Sequence, residues 1–444
     1  MTVSRSICLG FIAVILAGTF LLMLPQSTSQ GEWNDWIVAL FTATSAVCVT
    51  GHIVVDTATY FSTFGHIVIM CLVQVGGLGY MTVTTFLLLL LGRRFGVKDK
   101  LAIQQALDRS ALQGSAQVLK SIVATTLLFE LTGLLFLMLV FVPDLGLSKG
   151  LWYSLFHSVS AWNNAGFSLF SDNLISYRSS PLLNLAITGL IIFGGIGYEV
   201  IFEMYLWLRE RFKRQVMKTV RSLNFQVATS TTLFVLTGGT LAIWLIELRN
   251  PKTLGLLDIP QQLWAAWFQS VTSRTAGFNT IDISQMSTAG LFVTIALMLI
   301  GGSPGGTAGG IKTTTVRVLT SCTTAILQGK ESVVLYQRQV PFSLILKAVG
   351  VTVGSVFTVV LATVLIALAE PDLDFIKIFF EVVSGFATVG LSTGITANLT
   401  VFSKLVLVAS MYIGRVGVLL LMGALLGDPR PTAVRYPEES LLVG

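Results

Sequence analysis

Charge is scarce in this chain. Of its 444 residues, 11% are Asp, Glu, Lys or Arg while 53% are hydrophobic, and mean hydropathy is +0.80. Soluble domains carry about 25% charged residues, so an ordinary water-soluble fold is excluded and a lipid bilayer is the expected solvent. Cysteine is thin as well: Cys8, Cys48, Cys71 and Cys322 stand alone without a CxxC pair, and His52, His66 and His157 are scattered. Neither a disulfide framework nor a zinc site fits that pattern. A membrane enzyme would need a nucleophile or metal constellation, which three scattered histidines do not make. The 28 Lys plus Arg outnumber the 22 Asp plus Glu, but they lie at the edges of apolar runs and form no aromatic-interleaved basic patch. Nucleic acid is therefore not an expected partner. No GxxxxGK[ST] loop occurs and no GxGxxG turn follows the last apolar run, so no cofactor is expected in this chain.

What the chain has in abundance is long apolar runs. After Arg5 come residues 7 to 24, a stretch longer than the roughly 7 to 15 residues of a signal-peptide core and without an A-x-A cleavage pattern; it reads as a first membrane helix. Further runs near the ~20-residue crossing length lie at 64 to 91, 118 to 142, 182 to 208, 223 to 247, 287 to 300, 342 to 369 and 403 to 426. That makes eight transmembrane segments. With the N-terminus in the cytoplasm, nineteen Lys and Arg fall on the inner side and seven on the outer, which satisfies the positive-inside bias and places both termini inside.

Four glycines, Gly51, Gly166, Gly277 and Gly390, recur at intervals of 115, 111 and 113 residues. Each follows a segment too short to span and too apolar for an ordinary loop: 36 to 47, 151 to 162, 261 to 272 and 375 to 386. Trp36, Leu40 and Phe41, and likewise Trp152, Leu155 and Phe156, share helical spacing, as do Trp264, Trp267 and Phe268; the fourth segment uses Phe375, Phe379 and Phe380. The unit is helix, re-entrant half-helix, glycine turn, helix. Two crossings plus a re-entrant hairpin begin and end on one side, so successive copies are parallel. The fold class is an all-α integral membrane protein with four such repeats around a pseudo-fourfold central pore. The expected divisions are 1–100, 101–221, 222–330 and 331–426, with 427–444 as a cytoplasmic tail.

Glycine at that point has a physical reason. Non-helical backbone survives at membrane depth where it is buried or lines a cavity, and carbonyls can turn inward only where φ leaves the ordinary wells, which glycine permits. Four loops of inward carbonyls can replace the water shell of a monovalent cation, and the C-terminal ends of four half-helices add partial negative charge. A rival class, a broken-helix transporter for an anion, would present half-helix N-termini.

The stretches VTGHIVVDT, FHSVSAWNNAGFS, FQSVTSRTAGFNT and FATVGLS together resemble the Trk/Ktr/HKT superfamily of potassium transporters over essentially the whole chain, most closely its KtrB-type membrane subunit. The resemblance implies a selectivity filter at Val49, Thr50 and Gly51; Asn164, Ala165 and Gly166; Thr275, Ala276 and Gly277; and Thr388, Val389 and Gly390. Glycine in all four units implies potassium as the transported ion, with sodium as an activator or co-ion. It also implies a homodimer in the bacterial plasma membrane and a cytosolic nucleotide-binding ring subunit on the basic loops 92 to 120, 209 to 221 and 317 to 340.

The four units are unequal. Phe41, Phe156 and Phe380 lie ten residues before their glycines, whereas Phe268 lies nine before Gly277, so the third turn is tighter. Arg274 places a cation near the mouth of the filter, or its head turns away to a carboxylate such as Glu381, which itself can serve helix packing alone. GGSPGGTAGGIKTTT (301 to 315) cannot hold a continuous helix; the resemblance makes it an intramembrane gating loop, with Gly305, Gly306, Thr307, Gly309, Gly310 and Lys312 as gate residues. The alternative is a kinked, tightly packed helix. QVGGLGY, FGGIGY and YIGRVG read as small-residue contacts for close helix approach. Arg415 inside the last is a functional residue by default: either an electrostatic barrier near the ion path or a partner for carbonyls of the 301 to 310 loop. Glu130 serves an interhelical hydrogen bond or ion coupling.

Overall fold

In this computed structural model the chain is described over residues 3–79, 115–212 and 221–427. The rest of the expected 64 to 91 run, most of the 92 to 120 and 209 to 221 loops, and residues 428–444 of the expected tail lie outside the described residues.

Each unit opens with a long apolar helix: Val3–Met23, Ser115–Leu145, Leu223–Glu247 and Phe342–Ala369. These are the four unbroken helices long and apolar enough to cross a bilayer among the described residues. Their outward faces expose Phe20, Leu128, Leu139, Phe234 and Phe357, an arrangement that is costly in water and favourable against lipid chains. Apolar burial is instead concentrated around the half-helices.

The half-helices are Trp36–Val47, Leu147–Trp162, Ile259–Thr272 and Phe375–Phe386, ending where the periodicity ends them. Phe41, Phe156, Phe268 and Phe380 are each 1% exposed or less, so one aromatic anchor per unit fixes each half-helix in the interior. The second helices then begin at Thr63, Pro181, Thr288 and Val401. A hydroxyl caps every one: Ser62, Ser180, Ser287 and Thr400 accept from the amides of Gly65, Leu183, Gly290 and Ser403. Each bond satisfies an amide that a helix start leaves without a partner.

The eight expected crossings divide into two kinds, and the break expected in the third unit has counterparts in the second and fourth. The first helices are continuous, whereas the second ones stop after 16, 16, 12 and 16 residues. Pro181–Ile196 turns through 105° into Tyr198–Phe212, and Val401–Val416 through 94° into Val418–Leu426. Gly79, Gly197 and Gly417 close these helices with φ of 77°, 97° and 90°. A side chain rarely adopts that region, so the last glycine of each of these runs is a break in the helix as well as a small residue.

At the end of the third unit, Thr313–Leu327 leads to a hairpin pairing Val334–Leu335 with Arg338–Gln339. Leu335, Val333 and Val340 bury against Val227 and Ala325. Glu199 and Glu203, on the helix after Gly197, accept from Asn224 and from the Ser222 amide, which ties that helix to the start of the third unit.

Candidate functional site

The four glycine triplets form a closed ring. A Cβ built on Gly51 would strike the carbonyl of Ala165, one on Gly166 the carbonyl of Ala276, one on Gly277 the carbonyl of Val389, and one on Gly390 the carbonyl of Thr50. Each unit thus abuts the next in chain order, and the fourth returns to the first. No larger residue fits at these four positions without displacing backbone.

Backbone handedness alternates along every triplet. Val49, Asn164, Thr275 and Thr388 have φ of 57°, 59°, 68° and 54°; the glycines have 85°, 68°, 78° and 88°; the residues between them are outside the left-handed set. In a regular extended strand successive carbonyls point to opposite sides, and alternating the handedness turns them toward one side. Four such strands around one axis can present rings of carbonyl oxygens in place of water. Acidic side chains are absent from the four triplets, so the ligands on offer are neutral dipoles.

A left-handed Val or Thr is uncommon and costs about 1–2 kcal/mol, and the helix ends supply the reason it persists. At the first half-helix the Val49 amide donates to Ala46 and the Thr50 amide to Ser45. This paired C-terminal closure requires a left-handed residue at its first position. Asn164 with Ala165, and Thr388 with Val389, repeat it, reaching Ala161 with Ser160, and Gly385 with Ser384. The third unit differs: Ala276 donates to Thr272, four residues back. Its turn is one residue tighter, as the spacing of Phe268 predicts.

Behind the ring, glycines of the second helices press on the half-helix ends. A Cβ on Gly76, Gly194 or Gly414 would strike the carbonyl of Val47, Trp162 or Phe386, the last residue of a half-helix. The corresponding Gly301 faces Gly309 instead, because here the helix has given way to a loop.

That loop, between Leu299 and Thr313, has a neck and a tip. The Gly301 amide donates to Ile311 and the Thr313 amide to Gly302, closing the neck. The tip packs on neighbouring units. Ser303 and Thr307 donate their amides to Gly195 and Gly194, and Gly305 accepts from the Tyr198 amide. Gly306 lies against Gly194 and Gly195, Gly309 against the Thr388 hydroxyl and Gly310 near Ala387. Lys312 folds back on Ala308, donating at 2.6 Å. The loop therefore sits against the ring on the side where the half-helices end. A kinked helix is excluded, since the residues between the neck strands are irregular.

The buried charged residues find partners in other parts of the chain. Arg415 donates to the Thr307 carbonyl at the tip and to Gly76 of the first unit, so it meets the loop, as both expectations for it require. For Arg274 the structure corrects the expectation. It reaches neither the ring's outer mouth nor Glu381, but donates through Nη2 to Gly301 at 3.1 Å and Thr232 at 3.4 Å. Glu381 is taken by other groups: it accepts from Ser392 at 2.8 Å, the Thr393 amide at 2.7 Å and Thr396 at 2.8 Å, with His52 Nε2 at 3.3 Å. His52 also donates to Leu391 at 3.0 Å, which joins the first loop to the fourth. Glu130 accepts from Asn163 at 3.2 Å, and Asn163 also reaches Gln74 at 2.8 Å.

Sequence reasoning missed His52 as a partner of Glu381, and it missed Glu247. Glu247 is fully buried and accepts from Ser287, Asn250 and Thr253. Its available signal is an acidic residue at the end of the third unit's first helix, matched by Glu370 in the fourth, where Thr400 and Ser403 donate.

A family model described as cation transport protein, TrkH, matches residues 6–424. The chain is 40% identical over 443 residues to Ktr system potassium uptake protein B of Bacillus subtilis, covering 100% of this chain and 97% of that protein. It is 37% identical to the potassium/sodium uptake protein NtpJ of Enterococcus hirae, covering 99% and 96%. The crystal structure of the potassium transporter TrkH from Vibrio parahaemolyticus superposes with a TM-score of 0.70 at 17% identity, covering 95% of this chain and 85% of that one.

Proposed function

The chain belongs to the TrkH family of cation transport proteins, and we propose that it carries potassium across the bacterial plasma membrane through the ring of Val49–Gly51, Asn164–Gly166, Thr275–Gly277 and Thr388–Gly390. The observation that carries this reading is the alternating handedness within a ring whose glycines abut the next unit's carbonyls. Four half-helix C-termini converge on the same ring, a field that favours a cation and repels an anion. Neutral carbonyls suit a weakly hydrated monovalent ion, which gives up its water more cheaply than a divalent one.

The 301–312 loop is the gate, held shut by Arg415 on Thr307. Its position against the inner side of the ring supports this, as does its make-up of backbone bonds to other units, which can break and re-form singly. Relatives named as parts of a Ktr system support a partner subunit for this chain; the excess of Lys and Arg on the inner loops supports its docking there from the cytosol, with both termini inside, on a homodimer of the membrane subunit. The relative named for potassium and sodium uptake supports sodium as an activator or co-ion.

The test is complementation of a potassium-uptake-deficient bacterium at limiting potassium, with and without a candidate ring subunit, comparing wild type with Gly51→Ser. Growth is expected for wild type, and a lowered potassium-over-sodium preference for the variant. No growth in any pairing, or an unchanged preference, overturns the reading. For the gate, deleting Gly305 to Gly310 should raise flux and loosen its control; an unchanged flux would sink that part.

A further inference from the structure

The third triplet has the weakest local support of the four. Units one, two and four secure their left-handed residue with two amide bonds at the helix end, reaching three and five residues back. The third has a shorter turn: Thr275 keeps φ at 68°, and the bond that closes the turn comes from the Ala276 amide to Thr272, four residues back. A second support is missing there too. In the other units a second-helix glycine presses on the last half-helix carbonyl, but Gly301 has been drawn into the neck of the loop.

Arg274 fills that gap. It immediately precedes Thr275, and its Nη2 donates to the Gly301 carbonyl, whose own amide is bound to Ile311. The side chain is 7% exposed, and no carboxylate among the described residues pairs with it. A cavity of ≈ 10 Å³ adjoins it, lined by Thr232, Gly302, Gly195 and Ile191 among others. Arg274 Nε has no partner, so a charge that is expensive to bury is directed to one neck carbonyl and one hydroxyl. A planar guanidinium with a fixed fork suits that task better than a flexible ammonium.

We propose that Arg274 is a positioning residue for ion discrimination: it fastens the third triplet to the neck of the 301–312 loop, and so sets the carbonyl geometry that distinguishes potassium from sodium. Its role differs from that of Arg415. Arg415 holds the tip and governs whether the path is open, whereas Arg274 holds the neck and governs which ion the open path prefers. The inference rests on the potassium-transport reading above.

The experiment reconstitutes the full chain in liposomes and measures uptake of rubidium, as a potassium tracer, and of sodium, for wild type, Arg274→Gln, Arg274→Lys and Arg415→Gln. Each preparation is checked by thermal unfolding. Arg274→Gln should lower the rubidium-over-sodium preference about tenfold, equivalent to ~1.4 kcal/mol, with Arg274→Lys between it and wild type. Arg415→Gln should change both fluxes together and leave the ratio within about twofold. Should Arg274→Gln fail to fold, Arg274→Lys, which keeps the charge and one donor, must still shift the ratio. A ratio unchanged in the folded Arg274 variants, or shifted equally by Arg415→Gln, overturns the proposal. If wild type itself shows no preference for rubidium, the potassium-transport reading fails instead, whatever the Arg274 variants do.

Discussion

Arg415 of the fourth unit donates to the carbonyl of Thr307, at the tip of the third unit's buried loop. Its other terminal nitrogen donates to Gly76 of the first unit, and Thr307 in turn donates its amide to Gly194 of the second. One side chain thus closes a chain of contacts through all four units. A guanidinium in this position also puts a positive charge on the proposed gate, beneath the ring proposed to pass the cation.

Replacing Arg415 by Gln removes the charge and at least one of the carbonyl contacts. A charged donor lost from a buried carbonyl costs about 1–3 kcal/mol, enough to shift a closed loop toward open by roughly tenfold. Tracer efflux from liposomes lacking any partner subunit should rise by about that factor. Efflux equal to wild type would mean that the tip is held by its backbone bonds alone.

Gly390→Ala places a methyl group against the carbonyl of Thr50 and about the Gly51 backbone, whose Cα would lie 3.0 Å from it. The residue must also keep φ near 88°, at a cost of ~1–2 kcal/mol for a side chain. Neither neighbour is a flexible side chain that can yield. Potassium uptake should fall at least about tenfold while the purified protein still elutes as a single folded species. Uptake within twofold of wild type would show that the ring tolerates widening at this step.

Glu381 is 1% exposed and receives four hydrogen bonds plus His52. Glu381→Ala strands these donors, and each buried donor left without a partner costs about 1–3 kcal/mol. Glu381→Gln retains the shape and an acceptor, so it should cost clearly less. Thermal unfolding in detergent separates them. Equal melting temperatures for the two variants would deny the carboxylate this bracing role.

Glu370 lies just beyond the fourth unit's first helix. Burial raises its pKa, but the amide and hydroxyl of Thr400, the Ser403 hydroxyl and the Lys404 charge outweigh it, so the net shift is downward. A depressed carboxyl contributes stability that is complete above the ordinary glutamate value and is lost as pH falls through the lower folded value. Wild type should therefore melt higher than Glu370→Gln at pH 7, and the gap should close on acidification below the usual glutamate range. A gap independent of pH would point to packing rather than charge.

Much of the site is legible in the sequence. The glycine period, the half-helix ends and the shorter third turn all depend on contacts within a few residues, so spacing alone reports them. The breaks at Gly197 and Gly417 are present as letters but read as packing positions, because a glycine in an apolar run serves either purpose. The destination of Arg274 is not legible: Glu381 offers a carboxylate, yet its acceptor sites are filled by Ser392, Thr393 and Thr396 from its own unit.

By itself the sequence determined the solvent, the parallel fourfold plan and the ring of small-residue turns, since hydropathy, helical period and crossing parity are properties of short stretches. Tertiary structure decided how those turns seat against one another and, alone, where the buried charges go. A left-handed Val49 or Thr388 is disfavoured in isolation; it exists because a capped helix end and an abutting neighbour leave no other path. The partners of Arg274, Arg415 and His52 lie 27 to 339 residues away in the chain. Long-range packing, which no local pattern encodes, brings them together.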